Sequence, residues 1–209
     1  MSQIPQANLL PKAFSSLIEA FGKIPGVGAR TAERYAYFIW KADPQVAGNL
    51  AEKLADLHSS IKLCPKTFAL ISEDEDTSPL YYITDRDKSQ VLVVEEPLDI
   101  VAIEKTGGYT GTYHCLGGAI SPIDNVGPEQ LKIGELIERI AEDEVREVIV
   151  ATNASIEGES TAIYLARLIR EKFPEVKTSR LARGIPIGVD LEYADSLTLS
   201  QALKGRTEI

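Results

Sequence analysis

The chain has 209 residues, 44% of them hydrophobic and 25% charged, a globular composition with room for one large domain or two small ones. A formal net charge of −9 excludes a broadly basic nucleic-acid surface, and no apolar run approaches the length of a membrane span. The charge is uneven: residues 1–63 carry seven Lys/Arg against five Asp/Glu, and the remainder fifteen against twenty-six.

The N-terminus lacks a charged-then-apolar leader, since Pro5 and Pro11 interrupt it, so a cytoplasmic location is expected, with no membrane association. A helical stripe over residues 8–21 carries Leu9, Phe14, Leu17, Ile18 and Phe21. The run Ile24 to Arg34 (IPGVGARTAER) follows and reads as a two-glycine turn that opens a second helix. Gly26 and Gly28 are expected to take positive φ angles and to admit close approach. The new helix begins with unpartnered N–H groups and a partial positive charge, which suits a phosphate oxygen. Arg30 and Arg34 stand four apart and so share one face, with Lys23 nearby. The pattern resembles a helix-hairpin-helix, which grips the nucleic-acid backbone without reading bases; a plain αα-hairpin with a glycine C-cap remains open. Ala32, Tyr35, Ala36, Ile39 and Trp40 continue the second helix. Asp43 and Pro44 start a third, through Val46, Leu50, Leu54 and Leu57.

Residues 64–87 are different. Cys64-Pro65-Lys66-Thr67 leads to the acidic run Glu73-Asp74-Glu75-Asp76, read as a solvated loop, and Leu80 to Ile83 reads as a short strand. Cys64 and Cys115 lie 51 apart, and a disulfide is disfavoured in a reducing compartment. His58 and His114 are likewise remote from each other, so all four read as ordinary core or surface residues. From Val91 strands and helices alternate: strands at Val91 to Val94, Gly111 to Leu116, Val148 to Ala151 and Val176 to Ala182, and helices at Leu98 to Lys105, Glu129 to Ile140 and Ser160 to Phe173. That order predicts an α/β fold with a mostly parallel sheet covered on both faces, and ligands collect at the carboxyl ends of such strands.

Two clusters lie at such ends. One is Glu95, Glu96 and Asp99; the other is Asn153, Ser155, Glu157 and Glu159. A glutamate after one central strand and acids after another is the outline of a Toprim domain, in which carboxylates hold Mg²⁺ for phosphoryl transfer. Here Asn153 and Ser155 stand where two aspartates are expected, and neutral oxygens bind Mg²⁺ far more weakly. Impaired or absent catalysis follows, alongside a simpler role for Asn153 or Ser155 as a helix N-cap. The tail, Leu181 to Gly188 and then Asp190 to Asp195, reads as a Gly/Pro turn followed by acids, either an interaction tail or a loop closing the sheet. No Gly-x-x-x-x-Gly-Lys-Ser/Thr loop accompanies it, so an ATPase is a poor reading.

From about Phe14 to Ile209 these pieces, in this order, resemble the RecR family of bacterial recombination mediators. The matching stretches are Ile24 to Arg34, Arg86-Asp87 with Val93 to Asp99, Gly107 to Gly118, Ser121-Pro122, Gly127-Pro128, Ala151 to Tyr164, Gly184 to Gly188, and Asp195 through Thr198-Leu199 to Gly205-Arg206. The resemblance implies four parts: a helix-hairpin-helix unit at 1–62 for DNA binding and assembly, a zinc-finger segment at 63–87, a Toprim domain at 88–182, and a segment for subunit contact at 183–209. It implies a ring-like homotetramer able to encircle DNA, partnership with RecO and RecF, and help in loading RecA on single-stranded DNA, without enzymatic activity. By motif alignment Arg30 and Arg34 fall on the family's DNA-contact positions and Glu95 on its Toprim glutamate near the partner-binding face. The expected DNA site adds Lys23, Gly26 and Gly28, and the expected Toprim acidic and partner face adds Asp99, Asn153, Glu157 and Glu159. The alternative is a metal-dependent Toprim nuclease or primase-like enzyme using Glu95, Glu157 and Glu159.

One departure is large. The family finger has two Cys-x-x-Cys pairs; here they read Cys64-Pro65-Lys66-Thr67 and Ser78-Pro79-Leu80-Tyr81, so Cys64 is the only remaining finger cysteine. One thiolate does not hold a structural Zn²⁺, and no zinc or other cofactor is expected. Apolar contacts from Phe68, Leu70, Tyr81 and Tyr82 are then expected to hold the loop, or else the segment is mobile.

Overall fold

In the computed structural model residues 9–206 are described; Pro5 and the end of the tail through Ile209 lie outside them. Chain contacts divide at Ser60 and Ile61 into two compact units. In the first, three apolar stripes become three helices: α1 (Lys12–Gly22), α2 (Ala29–Lys41) and α3 (Pro44–Ser60). Ala32 and Ala36 are fully buried on one face of α2, their small side chains giving α1 room to pack close. Phe21 meets Tyr35 edge-on with ring centroids 5.7 Å apart. Asp43 accepts the Gln45 N–H at 2.9 Å, and Pro44 takes the first helical position, where its missing N–H is not needed.

The second unit opens with a hairpin of β1 (Ile61–Leu63) and β2 (Leu70–Ser72), then a short helix α4 (Pro79–Tyr82). A four-stranded sheet follows, β3 (Asp87–Val94), β4 (Gly111–Cys115), β5 (Glu147–Val150) and β6 (Lys177–Arg180), in the order β4-β3-β5-β6 with every pairing parallel. Period-two alternation along β3 divides the core. Val91 and Val93 join Leu136 and Ile140 of α6 (Ile133–Glu142) and Leu165 and Ile169 of α7 (Ile156–Lys172). Leu92 and Val94 face Ile100 of α5 (Pro97–Glu104), together with Tyr113, Cys115, Ala69, Phe68 and Leu80. The segment before the sheet thus closes one of its faces. It also covers the β4 edge, where Cys115 donates its N–H to the Thr67 carbonyl at 2.8 Å. A last helix, α8 (Ser196–Lys204), is capped by Asp195, which accepts from Leu197 and Thr198 N–H.

Several expectations need correction. Leu80 to Ile83 is not a strand: Ser78 caps a helical turn by accepting from Leu80 N–H, and Pro79 occupies its first position. The helix expected over Glu129 to Ile140 is broken. Pro128–Gln130 forms a 3-10 turn, and Leu131 is extended. Lys132 then donates its N–H to the Leu116 carbonyl at 2.9 Å before α6 begins at Ile133. The expected helix from Ser160 starts four residues earlier, because Ser155 caps it on Gly158 N–H at 2.9 Å.

Candidate functional site

At the end of α1, Ile24 donates its N–H to Phe21 and Val27 to Ile24, and Gly26 completes the turn at φ 81°. Only Gly26 needs the left-handed region; Gly28, expected to share it, is extended at φ −77° and ψ 166° as the N-cap of α2. Its carbonyl accepts from Thr31 and Ala32, but as glycine it offers no capping side chain, and the first turn of α2 holds no acid. The helix terminus is therefore left with N–H groups and an uncompensated positive end. Among the described residues, a Cβ built on Gly26 or Gly28 meets nothing within 4 Å. Lys23, Arg30 and Arg34 are all exposed around this turn. Further along α2, Glu33, Arg34, Tyr37, Phe38 and Lys41 line an open hollow of about 630 Å³. Lys41 escaped sequence reasoning, although it stands seven residues beyond Arg34, two turns along one face.

The second group lies at the carboxyl end of the parallel sheet. Glu95 follows β3 and is 7% exposed. Its backbone carbonyl accepts from Gly117 N–H, Gly118 N–H and the Cys115 thiol, which fixes the residue. Both carboxylate oxygens are taken by one residue: Asn153 donates its backbone N–H to Oε1 at 2.9 Å and its side-chain Nδ2 to Oε2 at 2.6 Å. Gly158 passes directly behind; a Cβ there lies 2.2 Å from the Asn153 carbonyl oxygen and 2.7 Å from Glu95 Oε1.

The remaining acids are dispersed. Asp99 accepts the Glu96 N–H at 2.8 Å and so serves the start of α5. Glu157 lies in the first turn of α7. Glu159 is ion-paired with Arg180 at 2.8 Å and Arg183 at 2.6 Å; the hydrogen bond from Arg180, with the Arg183 charge beside it, holds its carboxyl below the usual range. Asp99, Asn153, Arg180 and Arg183 line a cleft of about 320 Å³. The structure thus joins Glu95 to Asn153, while Glu159 is engaged by the two arginines that line the same cleft as Asn153. Among the described residues no three His, Cys, Asp or Glu side chains converge as a metal site. Arg180 and Arg183 were missed in the sequence; the available signal was an arginine at the end of the last strand, following the helix that carries Glu159.

Around Cys64 the donor set does not suit a tetrahedral zinc site. Beside its one sulfur, which accepts N–H bonds from Thr67 at 3.4 Å and Ser78 at 3.3 Å, the other three expected positions offer only the hydroxyls of Thr67, Ser78 and Tyr81. Burial pushes this thiol up, but the Thr67 and Ser78 hydrogen bonds outweigh it and leave it below its ordinary value. Burial prevails at Cys115, raised to about 11. The Tyr81 hydroxyl is engaged elsewhere, donating to Asp143 Oδ1 at 2.9 Å. Of the four side chains expected to hold this segment, Phe68 packs on the core and Tyr81 is half-buried, whereas Leu70 and Tyr82 are more than half exposed.

Family models match three stretches of the chain: a RecR helix-hairpin-helix at residues 14–58, a Toprim domain at 89–182 and a RecR C-terminal segment at 184–207. Residues 59–88, which hold the Cys64 hairpin, lie between them. Among curated relatives, a recombination protein RecR of Heliobacterium modesticaldum is 47% identical over 193 residues, spanning 92% of this chain and 95% of that protein. That of Acidothermus cellulolyticus is 47% identical over 195 residues, with 92% and 95% coverage. That of Streptomyces coelicolor is 46% identical over 190 residues, with 91% and 94% coverage.

Proposed function

This chain belongs to the RecR family, and we propose that it is a non-enzymatic DNA-binding mediator of recombinational repair. In this reading it acts with RecO and RecF to help load RecA on single-stranded DNA. We assign residues 1–62 to DNA binding and assembly, 63–87 to a degenerate finger, 88–182 to the Toprim domain and 183–209 to subunit contact. The protein acts in the cytoplasm as a homotetrameric ring.

The observation that carries this reading is the open turn at Gly26 and Gly28. It presents an uncapped helix N-terminus beside exposed Lys23, Arg30 and Arg34, with no acid in the first turn of α2. Backbone N–H groups and guanidinium groups recognise phosphate oxygens and carry no base readout, so binding is independent of sequence. One such grip is weak, but several on one assembly act together through effective concentration.

The Toprim surface supports a partner role over catalysis. Glu95 has both carboxylate oxygens committed to Asn153, and Glu159 is paired with two arginines, so neither is poised as a metal ligand. The double substitution Arg30→Ala/Arg34→Ala is expected to lower affinity for oligonucleotides about tenfold or more in low salt. The log–log salt slope should flatten by about 0.9 per lost phosphate contact. Unchanged affinity and slope would remove the turn from the DNA site. Magnesium-dependent cleavage abolished by Glu95→Gln would establish the enzyme instead.

A further inference from the structure

The hairpin that carries Cys64 is closed by its own hydrogen bonds at a site where the family resemblance implies four thiolates and one is present. β1 and β2 pair in register, Lys62 opposite Ile71. Cys64 donates its N–H to Ala69 at 2.8 Å and accepts from Phe68 N–H at 3.0 Å, and Phe68 takes a positive φ of 56° to close the turn. Thr67 and Ser78, which occupy two of the lost cysteine positions, are as buried as Cys64 itself. Each is satisfied without a metal: Thr67 Oγ1 accepts from Ala69 N–H at 3.3 Å and Ser78 Oγ from Leu80 N–H at 3.3 Å. Their own N–H groups converge on the Cys64 sulfur.

Tyr81, the third lost position, leads out of the hairpin to α6. Its hydroxyl donates to Asp143, whose other oxygen accepts Arg139 Nε at 2.9 Å. The Arg139 guanidinium is almost wholly buried. It donates to the Tyr113 carbonyl at 2.5 Å, to Thr112 Oγ1 at 2.6 Å and to the Lys66 carbonyl at 3.5 Å, and it stands 5.1 Å from the Tyr81 ring centre. Lys66 adds an ion pair with Glu142. One buried arginine thus touches the hairpin, the β4 edge and α6 together, and its charge is paired within the cluster.

We propose that residues 61–82 form a metal-independent knuckle. N–H···S bonds on Cys64 close it, and an Arg139–Asp143–Tyr81 latch seats it on α6, replacing the cohesion of a four-thiolate zinc centre. The proposal is independent of the DNA reading, which concerns the other unit.

The test uses the full-length wild-type protein. Elemental analysis should find far less than one zinc per chain, and melting should be unmoved by EDTA. Asp143→Asn and Tyr81→Phe should each speed amide exchange of Thr67 to Leu80 about tenfold or more, the factor expected for losing a charge-assisted hydrogen bond. Exchange in β5 should change little. Stoichiometric zinc whose removal lowers the melting temperature would overturn the proposal. So would two latch variants whose hairpin exchanges at the wild-type rate.

Discussion

His114 is fully buried on β4, beneath the edge of the Phe68 ring at 5.3 Å between centroids. Its Nε2 lies 2.7 Å from the Lys132 carbonyl, while Nδ1 has no partner among the described residues. Burial lowers its pKa from 6.5 to about 4. The unfolded chain therefore takes up a proton near pH 6.5 that the folded chain refuses until about 4. The stability this histidine contributes is complete above the upper value and is lost as pH falls toward the lower, on the order of 3 kcal/mol in all. Carboxylates held low, such as Glu104 hydrogen-bonded to Arg86, add acid sensitivity only below their ordinary 4.5. Urea midpoints between pH 4.5 and 6.5 should thus fall with acid in the wild type and stay nearly flat in His114→Gln; equal slopes would remove His114 as the cause. Nothing in the spacing of His114 marked it, since its burial depends on strands and a loop brought together from across the chain. The same holds at Glu95: its place after a strand was legible, but its bonds to Asn153 link residues 58 apart.

Elements with strong periodicity were read well, and those governed by a single cap were not. The stripes of α1, α2 and α3 and the valine runs of β3 and β5 repeat often enough to outweigh any one residue. Leu80 to Ile83 has only four residues, two of them aromatic, and its composition favours a strand. Ser78 and Pro79 before it are start signals for a helix, and the hydrogen bond from Leu80 N–H to Ser78 Oγ shows that the cap prevails. At the turn into α2 the glycines were legible but their geometry was not: a residue pair alone does not tell which member takes the positive φ. Because only Gly26 does so, at 81°, the two should respond differently to a methyl group. Gly26→Ala meets open space but forces a left-handed residue, costing about 1–2 kcal/mol. Gly28→Ala, extended at an N-cap, should cost less than about 1 kcal/mol, chiefly as the difference between glycine and alanine caps. Paired thermal melts test this ordering; equal losses would contradict the assigned turn.

At the scale of the whole molecule, the two units differ in how well they bury themselves. The second has a sheet with apolar cover on both faces, whereas in the first the buried hydrophobic residues among those described are Ala32 and Ala36 alone. So slight a core is marginal for a unit of this size. Yet Val46, Leu50, Leu54 and Leu57 stay 40% to 61% exposed along one stripe of α3, and Phe38 and Trp40 of α2 are more exposed still. Charge points the same way. Residues 1–63 are mildly basic on a chain of net charge −9, so one copy offers DNA little attraction and several grips held together offer much more. In the proposed ring, packing of copies through the first unit would link stability to DNA retention. Each leucine there is already about half buried, so withdrawing the rest from water is worth roughly 1 kcal/mol. Leu50→Lys/Leu54→Lys should shift the sedimenting mass from a multiple of 22.8 kDa toward that value. Because Arg30 and Arg34 are untouched, the salt slope of each grip should persist while apparent affinity for a long oligonucleotide falls about 10²-fold. A wild type that already sediments at the single-chain mass, or a variant that loses mass but keeps full affinity, would separate DNA binding from assembly and leave the apolar stripe without this role.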